Sequence, residues 1–309
     1  MITQTTQGLG WIGVGNMGSR MAARLLQAGY SMTVCGSGRR DLTAWAQQTG
    51  AALAAGPEEV AAGAQIFFST IPNGSVLTEL AEKLKTQDLS GKIWVDMSTV
   101  DAASSQKAAK RVEQAGGQFL RAPVTGSTHF AQEGTLGIMV SGSRAAFERC
   151  LPYLQILGTR QTYLGPGEEA RAMKIIINML LGNVLQAWGE ALTLGEKLGL
   201  PWETMIDLVA DSAAAAPIIR YKSETMKARD FRPTSTGYNM HKDMVLATQL
   251  AQSTDASLPL TALTQQMYNA LMAMGLSSWD NTAVVLVNEA MNALAAPEPR
   301  QDESQTHTG

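Results

Sequence analysis

Cysteine is scarce in this chain of 309 residues. The two cysteines, Cys35 and Cys150, show no metal-ligand spacing, so a disulfide framework and a zinc site are both poor interpretations, and a reducing cytosol fits best. A basic excess is also missing, because 24 Lys and Arg stand against 27 Asp and Glu. We therefore expect a small-molecule partner and neither nucleic acid nor a membrane surface.

Long apolar runs are missing as well. The first residues, MITQTTQGLGWIGVG, lack a basic segment followed by a long apolar one, and no later stretch has 18 consecutive apolar residues. This pattern predicts a cytoplasmic protein that is neither exported nor membrane-spanning. Apolar residues are nevertheless plentiful, at 45% of the chain. A chain of this length and composition is expected to build two domains.

Short apolar runs alternate with helical patterns up to about residue 165. Runs such as SMTVCG, QIFFSTIP and KIWVDMST are separated by patterns such as SRMAARLLQAG. This alternation predicts an α/β domain with a doubly wound parallel sheet. A long helical pattern then runs from Glu168 to Leu198 and ends at Gly199 and Pro201. Further helical patterns lie near 202–214, 217–227, 237–253, 260–274 and 279–295. The predicted domains are residues 1–165 and 166–295, followed by a disordered polar tail, 296–309.

A glycine-rich turn follows the first apolar run. Gly13, Gly15 and Gly18 have the G-x-G-x-x-G spacing and are followed by a helical pattern and then a second strand. In that context the glycines allow a tight turn, close backbone approach to a pyrophosphate and helix-strand packing. The turn therefore predicts a dinucleotide site that includes Asn16 and Met17.

The end of the second strand bears on the choice of dinucleotide. No Asp or Glu stands at 35–38 in VCGSGRRD, so the residue that would bind the ribose hydroxyls of NAD is missing. Ser37, Arg39 and Arg40 instead suit a 2'-phosphate, which favours NADP and leaves NAD possible. The alternative is that both arginines belong to a solvated helix start.

Four sequence blocks resemble the β-hydroxyacid dehydrogenases, the family of 3-hydroxyisobutyrate dehydrogenase and tartronate semialdehyde reductase. The blocks are IGVGNMGSRMAARLLQAG, APVTGSTHFAQEGTL, GPGEEARAMKIIIN and HKDMVLA. The resemblance implies a Rossmann-type domain, an all-helical carboxy-terminal domain, a long interdomain helix, and a homodimer or homotetramer.

The second block resembles the family's substrate-binding signature. The matching residues are Thr125, Gly126 and Ser127, where a hydroxyl and free backbone N–H groups suit the acid group of a substrate. Ser127 replaces a glycine of the family pattern, and Arg121 stands where an aspartate is usual. These departures point to a different acid group or substrate tail, and a sulfonate in place of a carboxylate is one variant.

The third block places Lys174 at the position of the family's catalytic lysine and Asn178 at that of its partner asparagine. Their i,i+4 spacing puts both on one helix face. A partly desolvated lysine near a helix start is expected to have a lowered pKa, as a proton donor to a carbonyl oxygen requires. The alternative is a lysine whose stem packs on apolar neighbours while its ammonium reaches water.

The fourth block supplies Lys242, followed by Asp243, and the resemblance suggests that Lys242 reaches the cofactor or substrate. The alternative is an exposed ion pair of little energetic value. Ile71, Pro72 and Thr99 follow predicted strands at the sheet edge where such sheets bind ligands, so they are expected to contact the cofactor. Ser98 and Thr99 would contact the nicotinamide or the substrate, and the alternative for this pair is that it caps a helix.

These residues together predict an NAD(P)-dependent oxidoreductase that interconverts a small 3-hydroxy acid and its semialdehyde. An imine reductase or reductive aminase is the main alternative, although such enzymes generally lack the lysine. A cofactor-binding module without catalysis is a third possibility, and the intact Lys174 and Asn178 disfavour it.

Overall fold

The described part of the chain begins directly before the first strand of a parallel sheet and divides into two units. The structure is a computed structural model, and it describes residues 8–38 and 40–294. It divides into two units, Met1–Ile175 and Ile176–Gly309. The predicted tail, 296–309, lies outside the described residues. The division falls inside a long helix, whereas the sequence placed the boundary ahead of that helix, and the predicted boundaries stay a prediction.

Strands in the described part of the first unit form one sheet. They are β1 (Leu9–Ile12), β2 (Met32–Cys35), β3 (Ala52–Leu53), β4 (Ile66–Ser69), β5 (Ile93–Asp96), β6 (Gln118–Arg121), β7 (Val124–Thr125), β8 (Leu136–Ser141) and β9 (Gly158–Gly165). Their order is β3-β2-β1-β4-β5-β6-β8-β7, with β9 also paired to β8. Strands β1 to β6 pair in parallel, and β8 runs antiparallel to β6 and β7. The sheet is therefore mixed at one end.

Helices cover both faces of this sheet. They are α1 (Asn16–Gln27), α2 (Thr43–Thr49), α3 (Pro57–Gly63), α4 (Gly74–Leu84), α5 (Ala102–Gln114), α6 (Thr128–Glu133) and α7 (Arg144–Leu157). Alternate strand residues enter different cores: Trp11 and Phe68 pack in one cluster, and Phe67 and Trp94 in the other. The near-continuous apolar strands follow from burial on both faces.

Helix α8 (Glu169–Lys197) agrees with the predicted helix to one residue at each end. Among the described residues it alone has the length and composition to cross a membrane, with a mean hydropathy of 1.3 over 18 residues, 44% of them buried. Core helices of soluble proteins pass the same test. In the second unit α8 also carries buried hydrogen-bonded polar side chains, since Asn183 bonds Thr261 and Gln186 bonds Asn288.

The second unit is helical throughout its described part. After α8 come α9 (Trp202–Asp211), α10 (Pro217–Lys227), α11 (Gly237–Ser253), α12 (Pro259–Ala273), a short 3-10 turn (Asn281–Ala283) and α13 (Val284–Met291). Their core includes Trp188, Met244, Tyr268 and Val285. The all-helical character predicted for this part of the chain is confirmed.

A partly buried charge cluster in the second unit leads to a pH prediction. Arg229 lies over the Trp202 ring and forms ion pairs of 2.7 Å with both Glu196 and Glu289. Burial raises the pKa of Glu289 above its usual 4.5, against the opposing effect of Arg229 and with a further contribution from Glu196. The folded state therefore favours the protonated carboxyl of Glu289. The contribution of this group to the free energy of unfolding falls as pH rises above 4.5.

The melting temperature of Glu289→Gln relative to that of wild type is therefore expected to be higher at pH 7.5 than at pH 4.5. The measurement is the difference in melting temperature between variant and wild type at both pH values. Glu203→Gln, a change at an exposed carboxylate, serves as the control and is expected to show no such trend. A difference that shrinks or reverses with rising pH would contradict the prediction.

Candidate active site

The glycine turn between β1 and α1 has two glycines that its own packing requires. Gly13 has φ +92°, and a Cβ there would overlap the carbonyl of Thr70. A Cβ at Gly18 would overlap the Gly13 carbonyl oxygen and the Thr70 hydroxyl. At Gly15, by contrast, a Cβ would meet nothing within 4 Å. The open space therefore lies at Gly15, directly before the first helical residue.

The N-terminus of α1 suits an anion at this open space. Gly15 caps the helix without a side-chain hydrogen bond, and the first turn has no acidic residue. Helices leave their first N–H groups without intrahelical partners, here those of Asn16, Met17 and Gly18, and the helix dipole favours negative charge there. The turn therefore fits a dinucleotide pyrophosphate.

A hydrogen-bond chain holds the turn against the sheet. Trp11 Nε1 donates to Thr70 Oγ1 at 3.1 Å, and Thr70 Oγ1 donates to the Gly13 carbonyl at 2.6 Å. Trp11 is fully buried in β1, and Thr70 follows β4. Two neighbouring strands thus fix the position of the glycine backbone.

Alanine substitutions at Gly15 and Gly18 are expected to separate binding from folding. Gly15→Ala has space and an ordinary extended backbone, so it should keep the wild-type melting temperature while weakening dinucleotide binding, because its methyl group enters the phosphate space. Gly18→Ala should lower the melting temperature, because its methyl group overlaps backbone and side chain. Thermal melts and NADPH titrations by fluorescence test both, and equal effects of the two variants would contradict this division.

The end of β2 carries the residues predicted to select the cofactor. Ser37 and Arg40 are both exposed, and Arg39 lies outside the described residues. The nearest following carboxylate, Asp41, accepts the Thr43 N–H at 2.8 Å, and hydrogen bonding to the Thr43 side chain and, to a smaller extent, to its N–H lowers the pKa of Asp41. No carboxylate stands among the described residues 36–38 and 40.

A buried network joins the strand ends to the start of α8. Asp96, at the end of β5, accepts hydrogen bonds from Ser69 and Ser98 and forms an ion pair with Arg171. Arg171, which is 1% exposed, also donates to the Ser98 carbonyl. Ser98 Oγ accepts the Ile71 N–H at 2.9 Å. Ser98 thus supports the strand ends, and the cap of α5 is Asp101 instead.

Arg171 connects this network to the predicted catalytic lysine. Arg171 lies three residues before Lys174 in the first turns of α8, and Lys174 is itself buried, at 9% exposure. Ile71, Pro72 and Thr99 follow the strands whose ends Asp96 and Ser98 hold. The network therefore fixes the start of α8 against the sheet edge that carries the predicted cofactor residues.

The predicted substrate residues form a turn between β7 and α6. Thr125 ends β7, and Gly126 has φ +125°, a conformation that favours glycine. Ser127 occupies the N-cap position of α6, and its side chain makes no capping hydrogen bond. Arg121, at the end of β6, is buried and pairs with Glu168 through two nitrogens, at 2.8 and 2.6 Å. Its guanidinium is therefore a structural partner of Glu168.

Asn178, one helical turn after Lys174, has a buried partner in the second unit. Its Nδ2 donates to Asp243 Oδ2 at 2.6 Å, and Lys242 Nζ lies 3.3 Å from Asp243 Oδ1. Asp243 is 6% exposed, so the alternative of an exposed Lys242–Asp243 ion pair is wrong. Asp243 fixes the orientation of the Asn178 amide, a role that the sequence analysis did not assign to it.

Comparison with known proteins agrees with this arrangement. Residues 8–165 match the family model described as the NAD binding domain of 6-phosphogluconate dehydrogenase, and residues 169–288 match the NAD-binding domain of NADP-dependent 3-hydroxyisobutyrate dehydrogenase. Glyoxylate/succinic semialdehyde reductase 2 of Arabidopsis thaliana is 32% identical over 296 residues, 95% of this chain and 82% of the relative. The chain is a β-hydroxyacid dehydrogenase family member.

Two further proteins are similar to this family member over most of its length. The 2-(hydroxymethyl)glutarate dehydrogenase of Eubacterium barkeri is 33% identical over 291 residues, 93% of this chain and 96% of the relative. A solved 3-hydroxyisobutyrate dehydrogenase from Mycobacterium tuberculosis, with L-serine, has a TM-score of 0.82 at 25% identity and covers 91% of this chain and 99% of its own. The predicted resemblance, fold and NAD(P)-dependent oxidoreductase class are confirmed.

Sequence reasoning missed several members of the β-hydroxyacid dehydrogenase site. Asp96 and Arg171 pair across 75 residues, and Asn178 and Asp243 across 65. Neither pair has a local spacing that predicts it. A charged residue in an otherwise apolar run, such as Arg171 in ARAMKIII, was the available signal, because a buried guanidinium requires a partner.

Proposed function

We propose that this family member interconverts a small 3-hydroxy acid and its semialdehyde, with NADP preferred over NAD. One observation carries the proposal: Lys174 is buried at the start of α8, one turn before an asparagine whose amide is held by Asp243. A buried ammonium beside an oriented amide suits proton transfer to a carbonyl oxygen. The relatives named as semialdehyde reductase and hydroxy acid dehydrogenase support this substrate class.

The residues have distinct proposed roles in reduction. When bound, the nicotinamide supplies the hydride that adds to the carbonyl carbon. The Lys174 ammonium donates a proton to the carbonyl oxygen, which becomes the hydroxyl group, and in oxidation the neutral amine takes that proton back. Asn178 orients the lysine or the substrate. The Thr125 hydroxyl and the N–H groups of Gly126 and Ser127 bind the acid group, and Lys242 contacts substrate or cofactor.

A substrate panel tests this proposal against imine reduction. NADPH oxidation is measured with short semialdehydes, with sulfolactaldehyde and with cyclic imines. We expect turnover of a semialdehyde that bears a carboxylate or sulfonate, and the better acid group reports what Thr125, Gly126 and Ser127 recognise. Turnover of imines together with no turnover of any aldehyde would contradict the proposal and favour the imine reductase alternative.

The proposed preference for NADP rests on Ser37, Arg39 and Arg40. Arg39→Ala and Arg40→Ala are expected to raise KM for NADPH while leaving KM for NADH nearly unchanged, because only NADPH carries the 2'-phosphate. Arg160→Ala, which removes an exposed charge on β9, is the control. An NADPH preference that survives both substitutions would contradict this assignment.

We also propose that the protein is cytoplasmic and forms a homodimer or homotetramer through its helical unit. Large apolar side chains there are exposed, including Leu180 at 61% and Leu208 at 67%. Exposed apolar surface of this kind is typical of an association face. Light scattering of the purified protein tests the proposed oligomeric state, and a monomer at micromolar concentration would contradict it.

A further inference from the structure

A row of polar side chains crosses four strands of the first unit. Ser69, Asp96, Arg121 and Ser141 stand side by side at the ends of β4, β5, β6 and β8. Side chains at paired positions of neighbouring strands point to the same face of a sheet. All four residues are buried. Buried polar groups are costly unless they are hydrogen-bonded, so this row requires partners.

The first turn of α8 and the residues just before it supply partners for the row. Ser141 Oγ donates to the Gly167 carbonyl at 2.8 Å and accepts the Ala170 N–H at 3.3 Å. Asp96 forms its ion pair with Arg171. The ends of β5 and β8 therefore hold the beginning of α8 through side chains.

Arg121 holds the residue directly before α8. Its Nε and Nη2 atoms lie 2.8 and 2.6 Å from Glu168 Oε1, and its guanidinium lies over the Phe119 ring, 5.1 Å from the ring centroid. The Glu168 side chain is 13% exposed, and its backbone carbonyl accepts the Ala172 N–H at 3.0 Å. The position of Glu168 thus sets where α8 begins. An aspartate at 121, as is usual in the family, would face this carboxylate with a like charge.

Arg121 also begins the segment that leads to the proposed acid-binding turn, residues 125–127. The Ala122 N–H donates to the Asp96 carbonyl at 2.8 Å, and the Pro123 carbonyl accepts an N–H of β8 at 3.1 Å. Strand β7, which carries the first residue of the turn, then pairs with β8. Bonds to both neighbouring strands leave this segment little freedom, so the position of the turn follows that of Arg121.

We propose that the Arg121–Glu168 ion pair fixes the distance between the acid-binding turn and Lys174, so that both residues of the pair position the site for one substrate length. The proposal rests on the function proposed above, in which the turn binds the acid group and Lys174 protonates the carbonyl oxygen. Lys174 follows Glu168 by six residues, about 9 Å along a helix. A misplacement of about 1 Å can lower a rate by about 10²-fold, so substrates of other lengths should react more slowly.

A series of substrates that differ only in length tests this role. The probes are unbranched aldehydo acids of two to five carbons, and kcat/KM is measured for each with NADPH. Arg121→Met and Glu168→Gln break the pair from opposite sides, so the second variant decides if the first does not fold. Arg144→Met, which breaks the exposed pair with Glu148 on α7, is the control. Both test variants should narrow the kcat/KM ratio between the best and second-best substrate by about tenfold, and the control should retain the wild-type ratio.

An equal loss of kcat/KM at every length, or an unchanged ratio, would overturn the positioning role and leave the proposed function intact. Wild type that turns over none of these acids would contradict the proposed function and this proposal with it. Hydrogen exchange of the protein without substrate tests the pair separately. In Glu168→Gln, amides of both 124–129 and 166–172 should exchange faster than in Arg144→Met, and faster exchange in only one segment would contradict the proposed coupling.

Discussion

Lys174→Ala is expected to lower kcat for semialdehyde reduction by about 10²–10⁴-fold, the usual contribution of a positioned general acid. NADPH affinity should stay unchanged, because the glycine turn and the β2 end do not involve this side chain. The measurements are steady-state NADPH oxidation and NADPH titration by fluorescence. Lys197→Ala, in the last turn of the same helix, is the control and should retain wild-type kcat.

Lys174→Arg separates charge from proton transfer. An arginine keeps the positive charge but holds its proton at any accessible pH, so kcat should stay low in this variant as well. If arginine restored activity, Lys174 would act as an electrostatic or packing residue. Near-wild-type kcat in Lys174→Ala would favour the alternative in which the lysine stem only packs on apolar neighbours.

Arg171→Met is expected to destabilise the first unit by about 3–5 kcal/mol, the usual result of removing one partner of a buried ion pair. The variant leaves Asp96, 0% exposed, without its cation. Asp96→Asn with Arg171→Met removes both charges and should recover part of the loss. Chemical denaturation of wild type, the single variant and the double variant measures these differences.

An exposed pair provides the comparison for Arg171. Lys83→Met breaks the ion pair with Glu79 on α4, whose side chains are 51% and 64% exposed, and such pairs contribute about 0–1 kcal/mol. If Arg171→Met cost no more than Lys83→Met, the network could not be what holds α8 against the strand ends. In that case Asp96→Asn would also restore no free energy of unfolding to Arg171→Met.

Local patterns were enough to predict the elements that carry the site. The G-x-G-x-x-G spacing defined the turn, and the uninterrupted helical pattern defined α8, because both are set by residues close in sequence. Local sequence only partly distinguishes the role of Gly15 from the roles of Gly13 and Gly18. The sequence gives their spacing, whereas the overlap with Thr70 depends on a strand some fifty residues away.

The strands after β6 were not predicted. β8 (LGIMVS) is a buried apolar run, but so short a run does not by itself distinguish a strand from a segment of helix, and β9 is a half-exposed strand with polar residues and no strong apolar pattern. β7 and β8 pair antiparallel and are joined by only the short helix α6, so the alternation with long helices that predicted the first strands does not apply between them. β8 and β9 pair in parallel across α7 and keep that alternation. The pairing of Arg121 with Glu168, 47 residues apart, was equally invisible.

Chemical rescue tests the proposed role of Lys174 most directly. In Lys174→Ala, the rate of NADPH oxidation with a semialdehyde is measured against the concentration of ethylammonium, with tetramethylammonium as a control that has no N–H. We expect ethylammonium to restore activity in a concentration-dependent manner and tetramethylammonium not to do so. Full activity of the variant without any amine, or equal rescue by both cations, would contradict a proton donor at Lys174.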